Sequence, residues 1–214
     1  MKTKNTLKSG DYSSSFNQFV FDSVNKNSTC LDVGCWNGNL GHALIKEKKC
    51  TVDGIDFNDK VLKEAKKNGY TETFSANLNA PDLDFSMIKK KYDHIIFADV
   101  LEHLINPSLI LEMLGKDIKK DGIVIVSLPN VAFLENRIRL LLGQWNYREF
   151  GTLDKTHLRF YTLKTAKKLL EDAGYTVISI DTYNQFKKLK FFEIFRKIFP
   201  AMFGYQILVK AKLK

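Results

Sequence analysis

Residues 29–41 read TCLDVGCWNGNLG. The β-branched and apolar start predicts a strand over 29–33, with Asp32 near its tip. Gly34 and Gly38 then bracket a tight turn, and a helical pattern runs over 38–48. Glycine in such a turn reaches positive φ without penalty and lets backbone approach a ligand closely. Working outward, further strand patterns fall at 50–55, 72–75, 93–98, 123–128, 176–181 and 206–211. Helical patterns fall at 59–68, 108–119 and 163–173, and Gly69, Gly122 and Gly174 stand where those helices should stop. The runs IIFADV (95–100) and IVIVSL (123–128) are almost continuously apolar, as strands covered on both faces are. The alternation predicts an α/β sandwich around a mostly parallel sheet.

The chain has 214 residues, 44% hydrophobic and 27% charged, a composition that excludes disordered, collagen-like and coiled-coil classes. This length suits one domain over 1–214 with a sizeable core. No apolar stretch approaches the roughly 18 residues of a membrane span, and the basic start lacks the apolar region of a secretory signal. A cytoplasmic location is therefore expected. Cys30, Cys35 and Cys50 match neither a disulfide framework nor a zinc site. The net charge is +9, and over 181–214 eight lysines and arginines stand against two acids. No RNA-binding signature accompanies them, so nucleic acid is not the expected partner. Two segments break the rhythm. Residues 130–161 are long for a connection and carry Trp145 and Tyr147, which suggests a lid over a substrate. Residues 187–203, KKLKFFEIFRKIFPAMF, read as a basic aromatic helix ending at Pro200, packed on the sheet edge or touching a membrane surface peripherally.

A doubly wound sheet binds ligand beyond the carboxyl ends of its strands. The glycines at 34, 38 and 41 do not have the spacing of a dinucleotide fingerprint, and no G-x-x-x-x-G-K-[ST] phosphate loop is present. Asp32 instead suits a cationic or amine-bearing ligand. Asp56, at the tip of the second strand, can accept both hydroxyls of a ribose. Asn77 follows the third strand and offers an amide to a base edge. A ribose acid, an amine acid and no phosphate grip together describe S-adenosylmethionine.

With these residues the chain resembles class I S-adenosylmethionine-dependent methyltransferases: LDVGCWNG resembles their first motif, with Trp36 in place of a further glycine. The resemblance implies a Rossmann-like sheet of seven strands, the last antiparallel, in a three-layer α/β/α sandwich. It also implies a cofactor-binding set of Asp32, Gly34, Cys35, Trp36, Gly38, Asp56, Phe57, Asn77, Leu78 and Asp99.

Beyond the fourth strand, ADVLEHLINP places Asp99, Glu102 and His103 on one face if a helical turn begins at Asp99. Two carboxylates and an imidazole there could hold a divalent cation such as Mg2+. The segment resembles the metal-bearing O-methyltransferases of ubiquinone biosynthesis and small-RNA 2′-O-methyltransferases; by that resemblance His157 completes a metal set of Asp99, Glu102, His103 and His157. The run DKTHLRFYT and the preceding SLPN resemble more closely a broad bacterial methyltransferase group common among surface-polysaccharide enzymes. That likeness implies catalytic roles among His157, His103 and Asp154, with Glu102, Trp145, Tyr147 and Arg159 facing substrate.

No N-P-P-[YF] run follows the fourth strand, so oxygen is expected over nitrogen as the methyl acceptor. The expected acceptor is a hydroxyl of a small molecule or of a sugar in a glycan or its precursor. An RNA 2′-hydroxyl, a quinone-type phenol or a non-catalytic S-adenosylmethionine-binding role are the alternatives.

Overall fold

Near-continuous apolar segments form the inner strands of one seven-stranded sheet in the computed structural model, which describes residues 16–184 and 190–214. β1 (Thr29–Val33), β2 (Thr51–Asp56), β3 (Thr73–Ser75), β4 (Tyr92–Ala98) and β5 (Ile118–Pro129) run parallel. β6 (Tyr175–Tyr183) reaches the sheet only through β7 (Gln206–Leu213), which is antiparallel to both β5 and β6. The order is β3-β2-β1-β4-β5-β7-β6, with the reversal at β1/β4 that opens a crevice beyond the strand ends. The expected sandwich and antiparallel last strand are both present.

Two apolar clusters cover the sheet. One face packs Leu31, Ile55, Ile95 and Phe97 with α4 (Pro107–Gly115) and α6 (Leu163–Asp172). The other packs Cys30, Val52, Ile96 and Ile125 with α1 (Gln18–Ser23), α2 (Asn39–Lys48) and α3 (Asp59–Lys67). Local chemistry sets the helix ends. Asn58 and Asn106 cap α3 and α4, Pro107 opens α4 without needing its N–H, and Thr162 and Thr165 form a capping box on α6. Gly69 and Gly174 follow α3 and α6 at φ 100° and 88°, as expected.

Three expectations need correction. The helix expected over 108–119 ends at Gly115, and β5 begins at Ile118. Gly122 therefore ends no helix. It lies in a bulge where pairing jumps from Tyr92↔Ile118 to His94↔Ile123, and a Cβ there would lie 2.5 Å from Ile118 Cγ1 and 2.9 Å from the Tyr92 carbonyl oxygen. The stretch read as a long loop contains a helix, α5 (Leu134–Leu141), and its ends are tied by a bridge between Asn130 and Tyr161. Within 187–203, α7 (Lys190–Ile198) stops before Pro200, which opens a second short helix, α8 (Pro200–Phe203); residues 187–189 lie outside the described residues. Among the described residues no helix is long and apolar enough to cross a membrane.

Candidate functional site at the strand tips

The turn after β1 is built around acceptors that the protein itself supplies. The N–H groups of Gly34 and Cys35 both donate to Ile55 O, at 2.8 and 3.0 Å, and Gly38 N–H donates to Cys35 O at 2.9 Å. Trp36 N–H donates to Asp56 Oδ2 at 3.0 Å. A phosphate-binding turn leaves such amides pointing at its ligand. Here four of them are engaged, which is the physical reason the turn is no pyrophosphate cradle. Gly34 and Gly38 have φ 70° and 80°, and a Cβ on Gly34 would meet Val100 Cγ2 at 2.6 Å. Trp36 stands at φ 49°, in the left-handed region, where the expected motif would carry glycine. Its ring is 58% exposed and covers none of the core.

Asp32 is buried and accepts the Tyr70 hydroxyl at 2.6 Å. Burial pushes its carboxyl up to about 7; the Tyr70 bond opposes the rise and the Asp56 charge adds to it. Tyr70 also accepts Gly41 N–H at 3.1 Å, so one phenol joins the acid to the first turn of α2. Asp56 is buried too, its oxygens accepting N–H from Trp36 and Asn58, each at 3.0 Å. Phe57 beside it is 69% exposed. Cys35 is buried in the core, and its thiol donates to Trp36 O at 3.7 Å, within the turn. Asn77 is exposed and its Oδ1 accepts Asn79 N–H, while Leu78 packs against the core.

Beyond β4 the expected shared face does not form. Asp99 has φ 57°, and a 3-10 turn begins only at Leu101 and runs to His103. Asp99 instead accepts Ser127 Oγ–H at 2.9 Å and the Asn17 amide at 3.4 Å. Asn17 also donates to Tyr183 Oη at 2.6 Å, so α1, β4, β5 and β6 meet in one polar knot. Burial raises the Asp99 carboxyl, and bonds from Ser127 and Asn17 oppose this.

Glu102, His103 and His157 do come together, with one ligand atom from each within 4.8 Å of the others. The two imidazoles meet edge to face at 4.8 Å between ring centres. Glu102 is 1% exposed, and its Oε2 and His157 Nδ1 are buried without a hydrogen-bond partner. Burial, with Asp99 and Asp154 close by, pushes the Glu102 carboxyl well up. His157 is held below the usual imidazole range by burial and then by His103, against the pull of Asp154. Asp154 binds the Thr156 N–H and hydroxyl through Oδ1, at 2.8 and 2.6 Å. A carboxylate and an imidazole that lie together, each with an unpartnered buried atom, suit a cation or a polar ligand. Asp99 lies outside this group. One carboxylate with two imidazoles matches a borderline divalent ion such as Zn2+ or Fe2+ better than Mg2+, which prefers oxygen.

Trp145, Tyr147 and His157 gather around Phe160, at ring distances of 5.5, 6.3 and 6.3 Å. Arg159 Nη2 donates to Ile105 O at 2.6 Å, so that guanidinium is anchored on the turn after β4. Tyr70, Asn79, Asn17 and Phe160 were not legible as site residues; only Phe160, inside the DKTHLRFYT run, had any local signal.

Residues 10–180 match a family model described as a methyltransferase domain. The chain belongs to that family. Solved structures that share its fold include proteins described as S-adenosylmethionine-dependent methyltransferases. The chain is 33% identical over 112 residues to the ubiquinone biosynthesis O-methyltransferase of Hydrogenovibrio crunogenus, covering 51% of this chain and 46% of that one. The relative of the same name from an Azoarcus species is 24% identical over 165 residues, covering 74% and 70%. The chain thus spans about half the length of the first of these relatives. Among solved structures, a S-adenosylmethionine-dependent methyltransferase from Archaeoglobus fulgidus superposes with TM-score 0.61 at 18% identity, covering 91% and 89%. Magnesium protoporphyrin IX methyltransferase from Synechocystis with bound S-adenosylhomocysteine gives 0.59 at 18% identity, covering 92% and 83%. At such identities these two speak for the fold.

Proposed function

We propose that the methyltransferase moves the methyl group of S-adenosylmethionine to a hydroxyl oxygen, with Glu102, His103 and His157 on the acceptor side. The observation that carries this reading is the convergence of those three side chains beyond β4, with Glu102 Oε2 and His157 Nδ1 buried and unpartnered. Asp32 would take the amine of the cofactor and Asp56 its ribose. The main chain at Gly34, Cys35 and Gly38 shapes the pocket, and Trp36, Phe57, Asn77 and Leu78 border the base. Asp99 supports the floor through Ser127 and Asn17.

The sulfonium already activates its methyl, so positioning an oxygen for in-line attack is the larger contribution of the protein. His157 is suited to take the hydroxyl proton, because its lowered affinity for protons keeps it neutral near pH 7. Alternatively, a divalent ion held by Glu102, His103 and His157 would lower the pKa of the acceptor hydroxyl, with His157 then a ligand and not the base. The lid, 130–161, would wall the acceptor with Trp145, Tyr147 and Phe160.

The names of the curated relatives favour a phenol of quinone type, and the DKTHLRFYT run favours a sugar hydroxyl of a glycan precursor. A lipid-linked acceptor would agree with the exposed apolar side chains at the same end of the sheet. Leu140, Leu141 and Leu142 are 57%, 87% and 67% exposed, and Ile194 and Ile198 on basic α7 are 59% and 62% exposed. They fit peripheral contact of 138–142 and 187–203 with an anionic membrane surface.

Methyl transfer from labelled cofactor to catechols and to nucleotide- or lipid-linked sugars tests the reading. Turnover is expected on one class, falling about 100-fold or more in His157→Ala. Binding of the cofactor product with no turnover on any hydroxyl acceptor would leave a binding module instead. An undiminished rate in excess chelator would remove the metal.

A further inference from the structure

The short turn carrying Glu102 and His103 is gripped from two sides. On the cofactor side stands Asn79, in the loop after β3. Its Nδ2 donates to His103 O at 3.1 Å and its Oδ1 accepts Ile105 N–H at 2.8 Å. Asn79 is itself placed by Asn77, whose Oδ1 accepts Asn79 N–H at 3.0 Å. On the lid side, Leu158 and Arg159 donate their N–H groups to Glu102 O at 2.8 and 3.0 Å. Arg159 Nη2 donates to Ile105 O at 2.6 Å, and His103 Nδ1 lies 3.2 Å from Thr156 O. The carbonyls of residues 102, 103 and 105 and the amide of 105 are thus all engaged by neighbours outside the turn.

Asn79 is exposed, yet it makes both bonds with a side chain of the one type that can donate and accept along the same edge. An exposed asparagine has water as an alternative partner, so this double bond lasts only where the two loops are held in register. The cofactor loop 77–79, the turn 102–105 and the lid run 156–159 form one continuous hydrogen-bonded chain.

We propose that Asn79 is a positioning residue that couples occupancy of the nucleoside pocket to the acceptor side: a base seated against Asn77 and Leu78 steadies Asn79, which fixes the 102–105 turn and through it the lid. This rests on the cofactor reading above. Cofactor and acceptor then each raise the other's affinity, a coupling of ordinary size at about tenfold.

Hydrogen exchange of the full chain with and without S-adenosylhomocysteine tests it, read together with the His103 imidazole resonance, which is assigned by its loss in His103→Gln. In the wild type the ligand should slow exchange at 34–41 and 54–58, slow it also at 156–160 about tenfold, and move the His103 signal. In Asn79→Ala the first two segments should still respond, while the lid response and the His103 shift fall away. Asn79→Asp keeps the acceptor for Ile105 N–H and loses the donor to His103 O, so it should respond part-way; it also serves if Asn79→Ala folds poorly. A lid response of wild-type size in a folded Asn79 variant overturns the coupling. No protection at 34–41 in the wild type would overturn the cofactor reading instead.

Discussion

Asp32 offers a measurement in which stability and ligand affinity should move in opposite directions. Its folded-state pKa of about 7 lies above the ordinary value of 3.8, chiefly because it is buried. Below the unfolded pKa the acid is neutral in both states and burial costs nothing. Stability falls progressively as pH rises from about 4 to about 7, where the unfolded acid is ionised and the buried one is not, and the full loss, reached above about 7, is on the order of 4 kcal/mol. A cationic amine beside the carboxylate offsets that charge, so the ligand selects the ionised form. Between pH 7.5 and 5.5, S-adenosylhomocysteine affinity should fall towards tenfold per pH unit once the pH is below about 7. Asp32→Asn should flatten this profile, weaken binding at pH 7.5 and raise the unliganded urea midpoint at the same pH. Tyr70→Phe removes the bond that opposes the rise, so its profile should keep the slope and move to higher pH. Calorimetry across that range decides the matter. A flat wild-type profile, or an Asp32→Asn profile with the wild-type slope, would refute the assignment of Asp32 to the amine.

Two further outcomes follow from the geometry. Gly34→Ala would place a Cβ 2.6 Å from Val100 Cγ2 at φ 70° and should cost about 1–3 kcal/mol in urea unfolding, whereas Trp36→Gly, at φ 49° and with an exposed ring, should change stability by no more than about 1 kcal/mol. The wild type should sediment with phosphatidylglycerol vesicles at low salt and not with phosphatidylcholine, and Leu141→Asp should cut the bound fraction about tenfold; no wild-type binding to either would remove the membrane reading.

The order of strands and helices was readable because most elements carry local signals: IIFADV and IVIVSL are short, nearly continuous apolar runs rich in β-branched residues, and Gly69 and Gly174 mark real helix ends. The family was readable for a related reason, since the turn after β1 and the acid at the tip of β2 are local patterns. Gly122 misled because glycine serves equally in a helix end and in a crowded bulge, and only the approach of Tyr92 and Ile118 distinguishes the two.

The amino-acid order alone determined the sandwich, the turn proposed to hold a nucleoside and the residues from which the proposed catalytic cluster would be drawn. Tertiary structure decided the membership of that cluster. Asp99 and Glu102 look equivalent in ADVLEHL, but a positive φ at Asp99 turns its carboxylate towards Ser127 and Asn17, while Glu102 meets a histidine 55 positions later. Tyr70 reaching Asp32 and Asn79 holding the 102–105 turn are likewise invisible in one dimension. Partners of this kind are fixed by how strands stack and loops meet, and no short-range pattern of side chains encodes that distance.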